Sequence, residues 1–343
     1  MILVDGRLIS NTRTGISNYS RKIVEFYCEE YGDDKIHVIL NEKVDLNCNC
    51  NKIYTRLKPF NLFHFLFFYF FIKNLNPKVY HTLFYSGLLF KNSNIKTILT
   101  VHDLMYRVIN DFFTQNYLIN TLAIKYYNII VRRSIKNSDA VISVSKTTAR
   151  DVKKVFGKDS SVIYEGVCIE TVNTLSTNML DKFSAKENQY FLYVGSNRPH
   201  KNVDFLVNTF KNYKGEEKLL IVGCNLNLSI KGIVNTGYVS NTELACLYKF
   251  AKAVVLPSKY EGFGLPILES LSYKTPLIVS EIEVFREFES ENINFFDLKN
   301  SNDLLRQLND ISPFKETDNT IEKFNWDIAK PEYLFIMNSL LNE

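Results

Sequence analysis

With 343 residues, 46% of them hydrophobic and 23% charged, the chain has a globular balance and is too long for one ordinary core; two α/β domains suit it better. The net charge is only +4, but it is uneven: residues 1–170 carry 23 Lys and Arg against 15 Asp and Glu, a surplus of +8, while the remainder carries 18 against 22. A basic first half suggests an anionic partner such as a membrane surface, and no nucleic-acid partner is expected.

Met1–Gly6 reads as a short strand that turns at once, without the basic and long apolar regions of a signal peptide, so a cytoplasmic chain is expected. After the strand Ile2–Val4, Arg13-Thr14-Gly15 opens a helix over Ile16–Glu30, where Gly15 lets backbone approach a ligand. A strand at His37–Leu40 precedes Cys48 and Cys50, in an Asn-rich loop. The six cysteines show no CxxC pair and no zinc-like spacing with His, and they are read as free thiols in a reducing compartment. Lys52–Tyr54 is the next strand.

Phe60–Ile72 (FNLFHFLFFYFFI) is the one strongly apolar run. Thirteen residues are too few for a spanning helix, which needs roughly 20. It is either a packing helix or an interfacial element with Lys58 and Lys73 as headgroup contacts. Strands follow at Val79–His81 and Thr97–Val101, the latter ending in His102-Asp103. A helix over Asn116–Asn137 leads to strands Ala140–Val144 and Ser161–Tyr164, with Ser145 placed to cap a helix between them. The polar stretch 170–188 reads as a linker.

The second half repeats the alternation: strand Tyr190–Gly195, helix from Asn202, strand Lys218–Val222, helix Thr242–Phe250, strand Ala253–Leu256, helix from about Leu265, strand Leu277–Val279. The tail Trp326–Leu341 reads as a final amphipathic helix. Strands alternating with helices predict two doubly wound, Rossmann-like domains over 1–169 and 189–322, with 323–343 as a closing helix. Ligands of such sheets bind at strand carboxyl ends, so the cleft between two such domains is the default active site.

Between Ser258 and Ser280 a buried strand ends, a turn with Gly262 and Gly264 follows, and Pro266 sits where a helix should begin. The backbone N–H groups of Gly262, Phe263, Gly264 and Leu265 suit a diphosphate. Glu261 at the strand tip can accept from sugar hydroxyls, and Glu269, one helical turn in, can take the two hydroxyls of a ribose. After Tyr193-Val194-Gly195, the cations Arg198 and Lys201 stand near another helix start, again favouring an anion.

Two glutamates eight residues apart around Gly-Phe-Gly-x-Pro resemble the Glu-x7-Glu motif of the retaining family-4 glycosyltransferases, and the match continues through Leu271–Ser280. The resemblance implies the GT-B fold, with the C-terminal helix packing back toward the first domain. It extends to Arg198 and Lys201 as the cationic motif, and to His102 as the histidine facing the transferred sugar, with Asp103 orienting His102 or its loop. It also covers a glycine loop at Gly15 and the Gly237–Ser240 segment, which with Val239 lies beside the nucleobase and binds largely through backbone. Glu165, where the family has Asn, departs from the pattern and argues against a ligand role there. The implied chemistry is transfer with retention, using Glu261, Lys201, Arg198 and His102. No Asp-x-Asp occurs, so no metal cofactor is expected. The chain looks most like bacterial mannosyltransferases of O-antigen assembly. That implies GDP-mannose as donor, a lipid-linked glycan as acceptor and peripheral attachment to the inner membrane face. UDP-sugars remain open as donors, as does an epimerase or hydrolase of the same fold. A dinucleotide oxidoreductase is disfavoured by the missing Gly-x-Gly-x-x-Gly.

Overall fold

The computed structural model describes residues 1–11, 14–59, 64–84, 87–109, 112–114, 116–167, 175–226 and 229–342, with the backbone alone at 64–66. Arg13, Phe60–Phe63 of the apolar run, Cys168 and the first five residues of the expected linker lie outside the described residues. The chain divides into two units: Met1–Glu165 with Trp326–Glu343, and Gly166–Asn325.

In the first unit the order is β1 (Ile2–Asp5), α1 (Gly15–Tyr31), β2 (Ile36–Leu40), β3 (Asn51–Tyr54), α2 (His64–Leu75), β4 (Val79–Thr82), β5 (Lys96–Val101), α3 (Met105–Val108), α4 (Tyr117–Asn137), β6 (Ala140–Ser143), α5 (Lys146–Phe156) and β7 (Ser161–Val162). Its sheet is parallel throughout, in the order β3-β2-β1-β4-β5-β6-β7. The central strands β1 and β4 are buried along their whole length and β5 from Thr97 on, as helices on both faces require. The order doubles back between β1 and β4, the doubly wound arrangement. The final strand is shorter than Ser161–Tyr164 because pairing with β6 stops at Val162.

The second unit runs β8 (Tyr190–Val194), α6 (Val203–Phe210), β9 (Lys218–Val222), β10 (Ile233–Gly237), α7 (Asn241–Lys249), β11 (Ala253–Leu256), α8 (Leu265–Ser272), β12 (Leu277–Ser280), β13 (Ile293–Phe296) and α9 (Ser301–Asp310). Its parallel sheet has the order β10-β9-β8-β11-β12-β13 and turns back between β8 and β11. A 3₁₀ helix at Thr177–Phe183 packs against α7, burying Leu180 and Phe183. The edge strands β10 and β13 and helix α9 are not evident from the sequence periodicity. Both strands are partly exposed and carry Asn, so their apolar alternation is weak.

Helix α10 (Trp326–Asn342) returns to the first unit. Its Tyr333 hydroxyl is 2.9 Å from that of Tyr19 on α1, and Trp326 lies against Tyr19 and Phe26. Lys330 pairs with Glu29 at 2.6 Å. Behind Tyr19 runs a buried polar line: Tyr19 to Thr100 at 3.0 Å, Thr100 to His81 at 3.0 Å and His81 to Tyr27 at 2.9 Å. Burial holds His81 down to about 3, so it is neutral at pH 7.

The described part of the apolar run lies in α2. Phe68 and Ile72 are buried against Leu3, Ile39 and Tyr80, while Phe67 and Phe70 are 56% and 50% exposed. One face therefore packs and the other faces out. Among the described residues no helix is long and apolar enough to cross a membrane.

Candidate active site

The turning-back of the second sheet fixes where its functional side chains gather. Two loops leave the adjacent strands β8 and β11 at this switch point, where open α/β sheets take ligands. After β8 the chain forms a single 3₁₀ turn, Pro199–Lys201, and Asn202 adopts the left-handed conformation (φ 56°) before α6. After β11 the chain passes Ser258 and Glu261 to Gly264, which precedes α8 with φ 141°. The Lys259 amide donates to the His200 carbonyl at 2.7 Å and ties the two loops together.

Lys201 and Glu261 meet across this junction. Lys201 Nζ donates to Glu261 Oε1 at 2.7 Å, and Ser258 Oγ donates to the same oxygen at 2.6 Å. The two side chains keep 20% and 12% of their surface exposed, so the pair is reachable by a ligand. An ammonium has three donors, and Lys201 can hold Glu261 and an incoming anion together. Arg198 precedes the same turn, is exposed, and makes no ion pair among the described residues. His200 is buried and held at about 4 by that burial, so it adds no charge near pH 7.

Gly264 is a glycine for a steric reason. A Cβ there would stand 3.1 Å from Phe288 and 3.2 Å from Phe285, in a backbone conformation that other residues rarely adopt. No side chain caps α8, and Pro266 occupies its first turn. The ring of Phe263 is buried against Phe288 and Phe324, which leaves its backbone rather than its side chain to a ligand. Gly262 and Leu265 are half-buried. Further along α8, Tyr248 OH donates to Glu269 Oε2 at 2.6 Å. Burial raises the Glu269 carboxyl above its ordinary value, against the opposing pull of the Tyr248 hydrogen bond and the Lys201 charge. Val239 is half-buried between β10 and the Ser240–Glu243 capping box of α7, next to Tyr238, which is 80% exposed.

In the first unit, His102 leaves β5 buried and doubly held. Its Nδ1 is 3.2 Å from Glu165 Oε1 and its Nε2 is 3.0 Å from the Leu83 carbonyl, with Tyr19 edge-on at 4.6 Å. Burial alone would lower its basicity, but the Glu165 hydrogen bond and charge outweigh this and raise it. Glu165 is therefore the side chain that orients His102. Asp103 accepts from the Met105 amide at 2.8 Å and shapes the loop. Gly15 is the first residue of α1, behind the N-cap Thr14, whose hydroxyl accepts from Ser17 N. Ser145 caps α5 by accepting from Thr148 N at 3.0 Å.

Residues 177–324 match the family described as Glycosyl transferases group 1, and residues 50–171 match Glycosyltransferase Family 4. The O-antigen chain mannosyltransferase RfbU of Salmonella typhimurium is 30% identical over 279 residues, covering 76% of this chain and 72% of that protein. The chain belongs to the retaining family-4 glycosyltransferases. Solved structures extend the likeness to the whole fold. Sucrose-phosphate synthase from Thermosynechococcus elongatus superposes with a TM-score of 0.78 at 17% identity, covering 99% of both chains. Anabaena HepE in complex with UDP and glucose gives 0.72 at 13%, covering 98% of this chain and 99% of that one.

This glycosyltransferase is an enzyme of the hexosyl-transferring class. In its second unit a cation, an acceptor carboxylate and an uncapped helix start lie together, a set able to bind an anion and hydroxyls at once. Three side chains around these groups and around His102 carry little or no signal in the sequence. Ser258 was visible three residues before Glu261, but only the turn aims its hydroxyl at that carboxylate. Tyr248 comes from the neighbouring helix and carries no local signal. Glu165 was visible as a departure from Asn, and its pairing with His102 spans 63 residues.

Proposed function

We propose that this glycosyltransferase moves a mannosyl group from GDP-mannose, with retention, onto a lipid-linked glycan during bacterial surface-polysaccharide assembly. The likeness to RfbU over three quarters of the chain carries the choice of sugar and pathway class. On this reading Lys201, Arg198 and the amides of Gly262–Leu265 hold the donor diphosphate. Glu261 takes a sugar hydroxyl, Glu269 the ribose and the Val239 backbone the base. Lys201 releases part of its hold on Glu261 as the diphosphate arrives, leaving that carboxylate to accept from the sugar. Gly15 brings backbone to the donor or acceptor. His102, held by Glu165 and Leu83, faces the transferred sugar.

As the sugar–phosphate bond breaks, negative charge grows on the departing diphosphate. Fixed cations and amides stabilise it without reorganising, the part a divalent metal plays elsewhere. Attack from the same face, with the departing phosphate accepting the acceptor proton, gives retention. Turnover with no added Mg²⁺ or Mn²⁺ should equal turnover with them; a strict requirement for either would contradict this neutralisation.

A membrane-borne acceptor fits the apolar surface of the first unit. Phe67 and Phe70 of α2 project outward, and Tyr69 packs edge-on to both Phe70 and the exposed Phe90. On α4, Tyr117, Leu118, Ile119 and Leu122 are all more than half exposed. These residues, with the +8 charge, suit peripheral binding at the cytoplasmic face of an anionic membrane.

The deciding assay supplies purified enzyme and a polyprenyl-diphosphate-linked glycan with radiolabelled GDP-mannose or a UDP-hexose. Label from GDP-mannose in the lipid fraction, with the donor's anomeric configuration kept in the product, is the expected result. A UDP-sugar donor is the second reading, favoured by the likeness to HepE, which is bound to UDP and glucose. Transfer from UDP-hexose alone would establish it in place of the first. Sugar release to water without transfer would leave a hydrolase instead.

A further inference from the structure

Three cysteines that are scattered in sequence converge in the first unit. Cys28 lies in the last turn of α1, and Cys48 and Cys50 lie in the segment that enters β3. Their Sγ atoms all fall within 4.8 Å of one another, and Cys48 Sγ stands 3.7 Å from Cys50 Sγ. A tetrahedral zinc ion with Zn–S bonds of about 2.3 Å spaces its sulfurs about 3.8 Å apart, so the trio already approximates one face of that tetrahedron.

We propose that Cys28, Cys48 and Cys50 form a three-thiolate site for a single thiophilic divalent cation, zinc in the first instance. Cys28 and Cys50 are 7% and 5% exposed, whereas Cys48 is half-buried, so the fourth ligand, water or a small anion, enters on the Cys48 side. The carbonyl end of α1, where Cys28 sits, carries a negative dipole that favours a cation. Binding releases the thiol protons to solvent and involves no redox step.

The geometry also says what the ion would do. The segment 41–50 is held to the turn that follows α1 by Asn49 N–H donating to Asp33 Oδ2 at 3.0 Å. Three metal–sulfur bonds would clamp the same two parts of the chain. The ion is structural, and its presence or absence is independent of which nucleotide sugar the second unit takes.

The test titrates reduced, metal-free full-length protein with Co²⁺, then Zn²⁺. One equivalent of Co²⁺ should produce an intense sulfur-to-cobalt charge-transfer band, which Zn²⁺ abolishes at one equivalent. Elemental analysis of protein loaded with Zn²⁺ should give one zinc per chain. Zn²⁺ should raise the melting temperature of the wild type but not of Cys48→Ser, a half-exposed position where the fold survives substitution, and Cys48→Ser should bind Co²⁺ at least about tenfold more weakly. Three results would overturn the site: no charge-transfer band in the wild type, an undiminished band in Cys48→Ser, or a disulfide between two of the three cysteines in protein purified under reductant.

Discussion

At the level of single residues, charge placement decides most of the chemistry. Lys201 is held by Glu261, and the same carboxylate also accepts from Ser258. Replacing Lys201 by Ala removes a charge-assisted bond worth about 1.5–3 kcal/mol, so donor affinity should fall roughly 10- to 150-fold by calorimetry while circular dichroism stays native. Glu269→Ala should weaken donor binding as well, without unfolding α8, because its partner Tyr248 is itself packed against Tyr273. Wild-type affinity in both variants would remove the donor site from this loop pair.

His102 gives a pH signature of the opposite kind to His81. A raised folded-state basicity stabilises fully below the unfolded value of about 6.5 and fades as pH climbs through the raised value. In Glu165→Gln that contribution goes, so the stability gap between wild type and variant should be widest below about pH 6.5 and shrink above it. Urea denaturation across the range measures this, and a gap that grows with pH would refute the pairing.

Elements are held in place by a few backbone-specific positions. A methyl group on Gly264 would crowd the rings of Phe285 and Phe288, and the backbone there has a φ of 141°. Gly264→Ala should therefore destabilise the second unit by about 1–3 kcal/mol and distort the start of α8, which a paired denaturation and donor-binding measurement would detect. Helix α2 divides its rings between core and surface. The double substitution Phe67→Ser and Phe70→Ser touches only exposed rings, so the fold should persist while cosedimentation with anionic vesicles drops. Unchanged sedimentation would take α2 out of membrane attachment.

At the scale of the whole molecule, the first unit is closed by a helix from the far end of the chain. The Tyr19–Tyr333 hydrogen bond ties α10 to a buried polar line through Thr100, His81 and Tyr27, whose groups satisfy one another inside the first unit. His81 must remain neutral there. With its folded value near 3, protonation is confined to the unfolded chain as pH falls below about 6.5, and the first unit should lose about 2 kcal/mol between pH 6.5 and 5. His102 acts above that range and His81 below it, so unfolding of the first unit should show greatest stability near pH 6.5. A flat profile from pH 5 to 8 would mean that neither the burial of His81 nor the pairing of His102 with Glu165 holds.

The sequence by itself determined the alternation of strands and helices, the two doubly wound units and the family. Each of these rests on local periodicity or on contiguous motifs such as 258–269 and 193–202. It also marked Lys201, Glu261 and Glu269 as residues of one chemistry. What only the tertiary structure decided are the contacts between distant segments: Glu165 on His102, Tyr248 on Glu269, Tyr333 on Tyr19 and Cys28 beside Cys48 and Cys50. The edge strands β10 and β13 belong here too, since their half-exposed, Asn-bearing stretches become strands through the neighbours they pair with. Periodicity reports the face a residue turns to the core. Which residue meets it across that core depends on strand order, and strand order is a property of the folded chain.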